Sequence, residues 1–376
     1  MLQWLEPILG VILGVLVLLD IFLLVLHARA DTGTISRLIS YPVWRGFVGM
    51  SHLFGKRKGS FLSFTGPIIL VLIIASWFLL LTLAVALIIH PNLGTQIRAT
   101  EGETPTDFIT ALYVGGHSLD FVGGSEFAPE TPGFRFFFLI TSIIGVAMVP
   151  LIITYLLEVY GSLRLRNSLG LEVQLHSAET GDAAEVIAAI GPHGRFDAGY
   201  PVLTQWAEKA TEVKEHHHFH PILFYFRFRE PHYSVSRTSL VTLDTVSLIK
   251  SALDHAEYGW LQESAAIEQL WRSTLMELKT LIQSFLPHAD VNTSPDEQTL
   301  AYWRRRYAAG VERLQRAGIK TTTSGVEEYI ALRTQWDRYI TLLAPKFAFH
   351  LDEVDTALAK VKQAKNMFET NSMDLP

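Results

Sequence analysis

The 376-residue chain contains no cysteine, which excludes disulfides and cysteine-ligated zinc. Charge is scarce as well. Asp, Glu, Lys and Arg make up 18% of the sequence, against about 25% in an average soluble domain, so the composition is not that of an ordinary cytosolic enzyme. A basic excess is missing: the net charge is −6, and no long basic tail or RNA-reading motif supports nucleic-acid binding. No H-E-x-x-H, no G-x-G-x-x-G following a strand and no regularly spaced arginine helix occurs, so zinc hydrolysis, dinucleotide binding and voltage sensing have no signature here. No catalytic motif is present, and the sequence is not read as an enzyme.

The scarcity of charge is uneven. Residues 1–160 hold 8 of the 31 Lys and Arg and 10 of the 37 Asp and Glu; the first part suits lipid and the second suits water. A hydrocarbon core about 30 Å thick needs roughly 20 apolar residues in a helix, and three stretches qualify: 7–27 with Asp20 inside, 66–90 with no charged residue, and 134–160 with Arg135 and Glu158 near its ends. The first lacks the basic start and small-residue cleavage site of a signal peptide. Between the first two stretches lie Arg29, Arg37, Arg45, Lys56, Arg57 and Lys58, opposed only by Asp31. Between the second and third lie Glu101, Glu103, Asp107, Asp120, Glu126 and Glu130, with Arg98 the sole base. Arg164 and Arg166 follow the third. The positive-inside rule then places the first loop and the C-terminal part in the cytoplasm, with the second loop and the N-terminus outside.

The outer loop carries an unusual segment, 104–129, TPTDFITALYVGGHSLDFVGGSEFAP. Thr104 or Thr106, with Pro105 and Asp107, makes a helix start. The apolar run from Phe108 to Val114 is too short to span, and a Gly-rich polar stretch follows before Pro129. Irregular backbone at membrane depth is tolerated only where protein buries it or it lines water, and a short helix followed by an extended return is how a selectivity filter is built.

ALYVGGHSLDFVGGSE resembles the pore helix and filter of two-helix-pore potassium channels. It is in gapless register with the T-V-G-Y-G-D signature: Phe121 at the Thr, Val122 and Gly123 matching, Gly124 at the Tyr, Ser125 at the second Gly and Glu126 at the acid. Gly145 follows Ser125 by 20 residues, where the lining helix of such channels carries its hinge glycine. More closely, the chain resembles a bacterial subgroup of this pore-loop superfamily with an added N-terminal helix, around LLDIFLLVLHAR, and a helical cytoplasmic tail. The resemblance implies a homotetramer in the cell membrane, since one chain offers one pore loop and the filter needs four. It implies no cofactor; monovalent cations, K⁺ or Na⁺, are the permeant ions.

The departures bear on selectivity. Phe121 offers no hydroxyl for the innermost coordination ring. Ser125 stands where glycine's conformational freedom is normally required, at a cost of order 1 kcal/mol. Gly124 removes the aromatic that wedges the filter against the pore helix. The filter, Phe121 to Ser125, is therefore read as altered or relaxed in selectivity; potassium conduction and a non-conducting relative are the other readings.

The resemblance also places His117 behind the filter, with Asp120 and Glu126 at the outer mouth. A His117–Glu126 hydrogen bond would make the filter sensitive to pH near neutrality, while the plainer reading has His117 capping the pore helix. Glu126, repeated fourfold, would concentrate cations. Gly145 and Pro150 are candidate gating positions, because proline removes a helical hydrogen bond; a static kink is the alternative. Glu158 falls at the inner mouth, or pairs with Arg164 or Arg166. Asp20 lies inside its apolar helix, where a carboxylate is costly, and is read mainly as a lock on helix packing. The HHHFH run sets His216 and His220 four residues apart, a spacing that could share a metal, although a surface or interface cluster is the simpler reading.

The sequence thus predicts an all-α membrane protein with three transmembrane helices, a re-entrant pore helix and filter loop, and a helical cytoplasmic C-terminal domain. Its parts are an N-terminal transmembrane helix over 1–30, a basic cytoplasmic loop over 31–65, a pore domain over 66–160 with its pore loop at 104–129, and the cytoplasmic domain over 161–376. Within the last, apolar periodicity predicts helices near 198–226, 236–258, 261–286, 296–317, 325–343 and 350–367. Leu270, Trp271, Leu275, Leu278, Leu281, Ile282 and Phe285 form one core-facing stripe, and the run 221–230 is read as core or as a membrane-surface helix. Expected partners are membrane lipid, further copies of the chain and an unidentified cytoplasmic ligand or protein. A non-conducting scaffold or sensor, with a vestigial pore and partner-binding tail, is the alternative function.

Overall fold

The computed structural model describes residues 4–27, 33–119 and 126–358. In chain order its helices and strands begin with α1 (Leu5–Ile21), continued by a π-turn to Leu26, then α2 (Thr34–Ser51), α3 (Lys58–Leu62) and α4 (Thr65–Ile89). Next come β1 (Ile97–Ala99), α5 (Phe108–Ser118), β2 (Phe127–Pro129) and α6 (Pro132–His176). The remainder is helical: α7 (Ala183–Ile190), α8 (Tyr200–Phe219), α9 (Val235–Ala252), α10 (His255–Gln262), α11 (Ala265–Phe285), α12 (Glu297–Arg316), α13 (Val326–Thr334), α14 (Asp337–Lys346) and α15 (Leu351–Val354). Helix dominates, as the hydrophobic periodicity requires, and three helices are long and apolar enough to cross a membrane. The chain divides into one unit of Met1–Phe47 with Thr65–Tyr160 and another of Val48–Phe64 with Gly161–Pro376.

The first unit is built on α1 against α4. Gly10 lets the two backbones meet: a methyl group added there would lie 2.5 Å from the Ala84 carbonyl oxygen. Small residues at such a contact are how apolar helices pack when the surroundings are as apolar as their side chains. From α4, Ile69, Ile73, Trp77 and Leu81 point inward at four-residue spacing. The opposite face of α1 leaves Ile8, Val11, Ile12 and Val15 about half exposed, a surface matched to lipid.

Several expectations change here. The segment predicted as a basic loop contains α2 and α3, and α2 runs through Pro42. The third apolar helix does not end near Tyr160; α6 continues to His176, passing Gly145 and Pro150 while remaining helical. A pair of three-residue strands, β1 and β2, adds a small antiparallel element to the expected all-α fold.

In the second unit α9 is the central helix, with 16 of its 18 residues buried. Three of its hydroxyls are satisfied within the helix: Thr245, Ser247 and Ser251 donate to the carbonyls of Val241, Leu243 and Ser247. On α11, Leu270, Trp271, Leu278, Leu281 and Ile282 of the expected stripe are buried, whereas Leu275 and Phe285 are only partly so. Of the run 221–230, Ile222 to Arg227 pack inward, with Leu223 and Phe224 essentially inaccessible, while Arg229 and Glu230 are exposed.

The predicted helix boundaries shift for identifiable reasons. The helix expected over 198–226 stops at Phe219, because Pro221 cannot donate to the helical ladder. That over 236–258 divides into α9 and α10, where Asp254 turns out of the helix to accept from the Glu257 N–H at 3.2 Å. That over 325–343 is two helices, broken at Trp336. The last, predicted over 350–367, begins as the four-residue α15 and lies partly outside the described residues. The short α7, capped by Asp182, is not anticipated by the sequence reading.

Candidate functional site

The filter positions Phe121, Val122, Gly123, Gly124 and Ser125, together with Asp120, lie outside the described residues. Their frame is described. After α4 the chain forms β1, which pairs with β2 in the register Ile97 with Pro129, Arg98 with Ala128 and Ala99 with Phe127. The two ends of segment 100–126 are thereby held together, and the Thr100 N–H donates to the Glu126 carbonyl at 2.7 Å. Asp107, one of the residues expected at the helix start, caps α5 by accepting from the Thr110 N–H at 3.0 Å and the Thr110 hydroxyl at 2.7 Å. The Thr110 hydroxyl and then its N–H hold the Asp107 carboxyl below its usual range.

The path of α5 is fixed by two close approaches. It starts near the end of α4, where the Phe108 ring meets the His90 ring edge-on, 5.3 Å between centroids. By Gly115 it lies two turns back along α4: a methyl group at Gly115 would be 3.1 Å from both the Thr82 carbonyl oxygen and the Ala86 nitrogen. Ala111, Val114, Val85, Ala86, Ile89, Leu93, Ile97 and Phe127 close around this contact as one apolar core. Past the helix end, the Leu119 carbonyl oxygen approaches α6 at Gly145, 1.9 Å from where a side chain would begin. The short helix is thus wedged between two long ones and ends on the glycine singled out by the sequence.

The other candidates fall as follows. His117 is partly buried and packs edge-on to Tyr113, 4.6 Å between centroids; the suggested bond to Glu126 is not among the hydrogen bonds of the described residues, and Glu126 is exposed. Of the other outer acids, Glu130 lies 3.6 Å from Arg98. Glu158 is exposed on α6. Arg166, offered as its partner, is instead buried and donates to the carbonyl oxygens of Leu223 and Phe226, each at 2.9 Å.

The histidine run, expected as a surface or interface cluster, is drawn inward, with His216 and His218 half-buried. His217 and His220 are buried, because α8 packs this end against the rest of its unit. His217 Nδ1 lies 2.9 Å from Glu277 Oε1 on α11, and His216 Nδ1 is hydrogen-bonded to the Ser162 hydroxyl at 2.8 Å. The rings of His216 and His220 stack at 6.5 Å. Among the described residues no group of three or more histidines and acids is gathered as a metal site.

Two polar centres go beyond the sequence reading. The first surrounds Asp20. Its Oδ1 accepts from the Ile35 N–H at 2.9 Å, and its Oδ2 from the Ser36 hydroxyl at 3.2 Å and the Trp77 indole N–H at 3.0 Å. The lock expected of Asp20 is present, and it acts by capping the N-terminus of α2 in trans while tying it to α4. The second centre is Asp244 on α9, which is wholly buried. It accepts from Arg306 Nε at 2.7 Å, Arg333 Nη1 at 2.9 Å and the Tyr329 hydroxyl at 2.6 Å. Arg306 also donates to Asp355 at 2.7 Å, and Arg333 to Asp337 at 3.0 Å. Burial raises the Asp355 carboxyl, but attraction to Arg306 and Arg333 outweighs it and leaves the group below its ordinary value. At Asp337 burial prevails over Arg333, and that carboxyl is raised. The only sequence signal for this centre is an aspartate at the middle of an otherwise Ser-, Thr- and Leu-rich helix.

Compared with known protein families, with characterised proteins and with solved structures, the chain matches none of them.

Proposed function

We propose that this chain is one subunit of a homotetrameric cation channel, with a potassium-channel-like pore of altered selectivity that passes monovalent cations down their gradient without chemistry. The observation that carries the reading is the course of α5: eleven residues, too few to span a bilayer, returning along α4 and ending against Gly145 of α6. Four such segments about an axis, each presenting 120–125, would form a re-entrant filter, with α6 as the lining helix. The paired strands β1 and β2 fasten the base of the loop, and the outer acids are set to attract cations. The basic first loop and the C-terminal unit are assigned to the cytoplasm by the distribution of Lys and Arg, and the N-terminus to the outside.

The test is ion flux from liposomes containing purified full-length protein, under separate K⁺ and Na⁺ gradients. Flux of either cation without anion flux is the expected result. A confirmed tetramer that passes neither ion would overturn the channel reading and favour a scaffold or sensor whose tail binds a partner.

A further inference from the structure

We propose that residues 52–58, the turn that leads into α3, form with Arg229 a membrane-anchoring surface that inserts Leu53 and Phe54 among anionic lipid headgroups. The sequence there is HLFGKRK, apolar and then basic. A 3-10 turn over His52–Arg57 bends at Gly55, whose φ of +47° suits glycine. The Phe54 ring stacks on the Phe61 ring of α3, 4.1 Å between centroids, so the turn has a fixed base. Its tip is open: Leu53 is 85% exposed and Phe54 44%, and Phe64 beyond α3 is 61% exposed. Bases adjoin these apolar groups. Arg57 and Arg229 are exposed and Lys58 is half-buried, and a methyl group added at Gly59 would lie 3.4 Å from Arg229 Cγ. Apolar side chains flanked by bases are the chemistry of an interfacial anchor: the first enter the acyl boundary while the second meet phosphate.

Two chain paths bring this surface to the level where helices enter hydrocarbon. On one side the Ser63 N–H donates to the Gly59 carbonyl and the Phe64 N–H to the Phe61 carbonyl, so the chain coils tightly from Phe61 to Thr65, the start of α4. The five positions from Phe61 to Gly66, where that apolar run begins, amount to about 8 Å at the helical rise. On the other side Arg166 stands six positions, about 9 Å of helix, past Tyr160 at the end of the third apolar stretch. It donates to the Phe226 carbonyl at 2.9 Å, and the adjoining Arg227 donates to the Gly59 carbonyl at 3.4 Å. A headgroup layer is about 5–8 Å deep on each side of the bilayer, so both paths end within its reach. Charge selects the lipid. Residues 32–65 contain five Lys or Arg and no Asp or Glu, and Glu230 is the single acid of the run 221–230. A second copy meeting this face about a two-fold axis would set base against base, whereas a phosphate-bearing surface complements it. The inference requires only that α4 and α6 span a bilayer, and stands apart from whether the protein conducts.

The natural absence of cysteine allows a direct test. Leu53→Cys, carrying a nitroxide, is placed in the full-length protein and reconstituted in phosphatidylcholine, with and without phosphatidylglycerol. In the anionic bilayer the label should become accessible to oxygen and shielded from an aqueous nickel complex. Adding Arg57→Gln, an exposed position whose change leaves the packing untouched, should lower the ratio of docked to undocked label about fivefold, the worth of one base near an anionic surface. A label equally open to nickel in both bilayers would overturn the proposal. Docking indifferent to lipid charge and to Arg57 would overturn the anionic assignment. Shielding from nickel already present in detergent, with spin–spin broadening, would give the face to a second copy and overturn the lipid reading.

Discussion

The Leu119 carbonyl oxygen occupies the space that a side chain at Gly145 would need, 1.9 Å from the Cβ position. Glycine is therefore required in α6 by the end of α5, whatever bending it also permits. A methyl group at this point must push α5 and α6 apart, and overpacking against backbone costs about 1–3 kcal/mol.

Gly145→Ala is accordingly expected to lower the thermal unfolding midpoint of the detergent-solubilised protein and to reduce any flux. Gly161→Ala supplies the comparison, because a Cβ there meets nothing within 4 Å; it should be neutral or gain up to about 1 kcal/mol from helix propensity. Equal melting of the two variants would remove the packing role from Gly145.

The Asp20–Trp77 bond spans 57 positions and joins α1 to α4, while the same carboxylate caps α2. Asp20→Leu strands three donors and should cost about 3 kcal/mol. Trp77→Phe removes one donor together with part of a packed ring, for about 1 kcal/mol or more. A double-mutant cycle should return a coupling near ~1 kcal/mol; strict additivity of the two would mean that the bond contributes nothing.

Much of this arrangement is legible from residue order, and the failures share a cause. The three long helices follow from unbroken apolar runs, since nothing but a helix satisfies such a backbone in lipid. The start of α5 follows from the Thr-Pro-Thr-Asp cluster, although its cap is Asp107 and Thr104 instead accepts from the Ala99 N–H. The central place of α9 is hidden, because its Ser and Thr residues look solvent-seeking in sequence, yet all but Thr238 are buried, and Thr245, Ser247 and Ser251 spend their hydroxyls on the helix's own carbonyls. Asp20 and Asp244 are visible as oddities, but their partners lie 15 to 89 positions away, beyond the reach of helical periodicity. The overrun of α6 past Tyr160 is hidden for another reason: a rise in charge marks a change of solvent, not the end of a helix.

The filter departures make a prediction about selectivity. On the proposed channel reading, restoring the signature with Phe121→Thr, Gly124→Tyr and Ser125→Gly would supply the hydroxyl ring, the wedging aromatic and the second permissive backbone position. If the present residues relax selectivity, the triple variant should raise the K⁺ over Na⁺ permeability ratio, read as the reversal potential in planar bilayers. An unchanged ratio in a conducting variant would assign selectivity elsewhere.

Asp355 and Asp337 should give the second unit opposite responses to acid. Arg306 and Arg333 hold the Asp355 carboxyl below its ordinary value of 3.8, so folding favours its ionised form. The stabilisation is complete above that value and disappears as pH falls through the lowered one. Asp337 is raised above 3.8 by burial; its titration stabilises the folded chain below 3.8 and that contribution is lost as pH rises through the raised value. Asp355→Asn removes one carboxylate from the buried pair Arg306 and Arg333, which keep Asp244, and at neutral pH should cost about 1.5–3 kcal/mol, the worth of a hydrogen bond to a charged group. The stability gap between wild type and Asp355→Asn should therefore narrow on acidification, whereas wild type should gain on Asp337→Asn over the same range. Denaturation midpoints of the full-length protein in detergent, followed across the carboxylate range, measure both slopes; gaps that move in the same direction would contradict the assignment of Asp355 to the arginine pair.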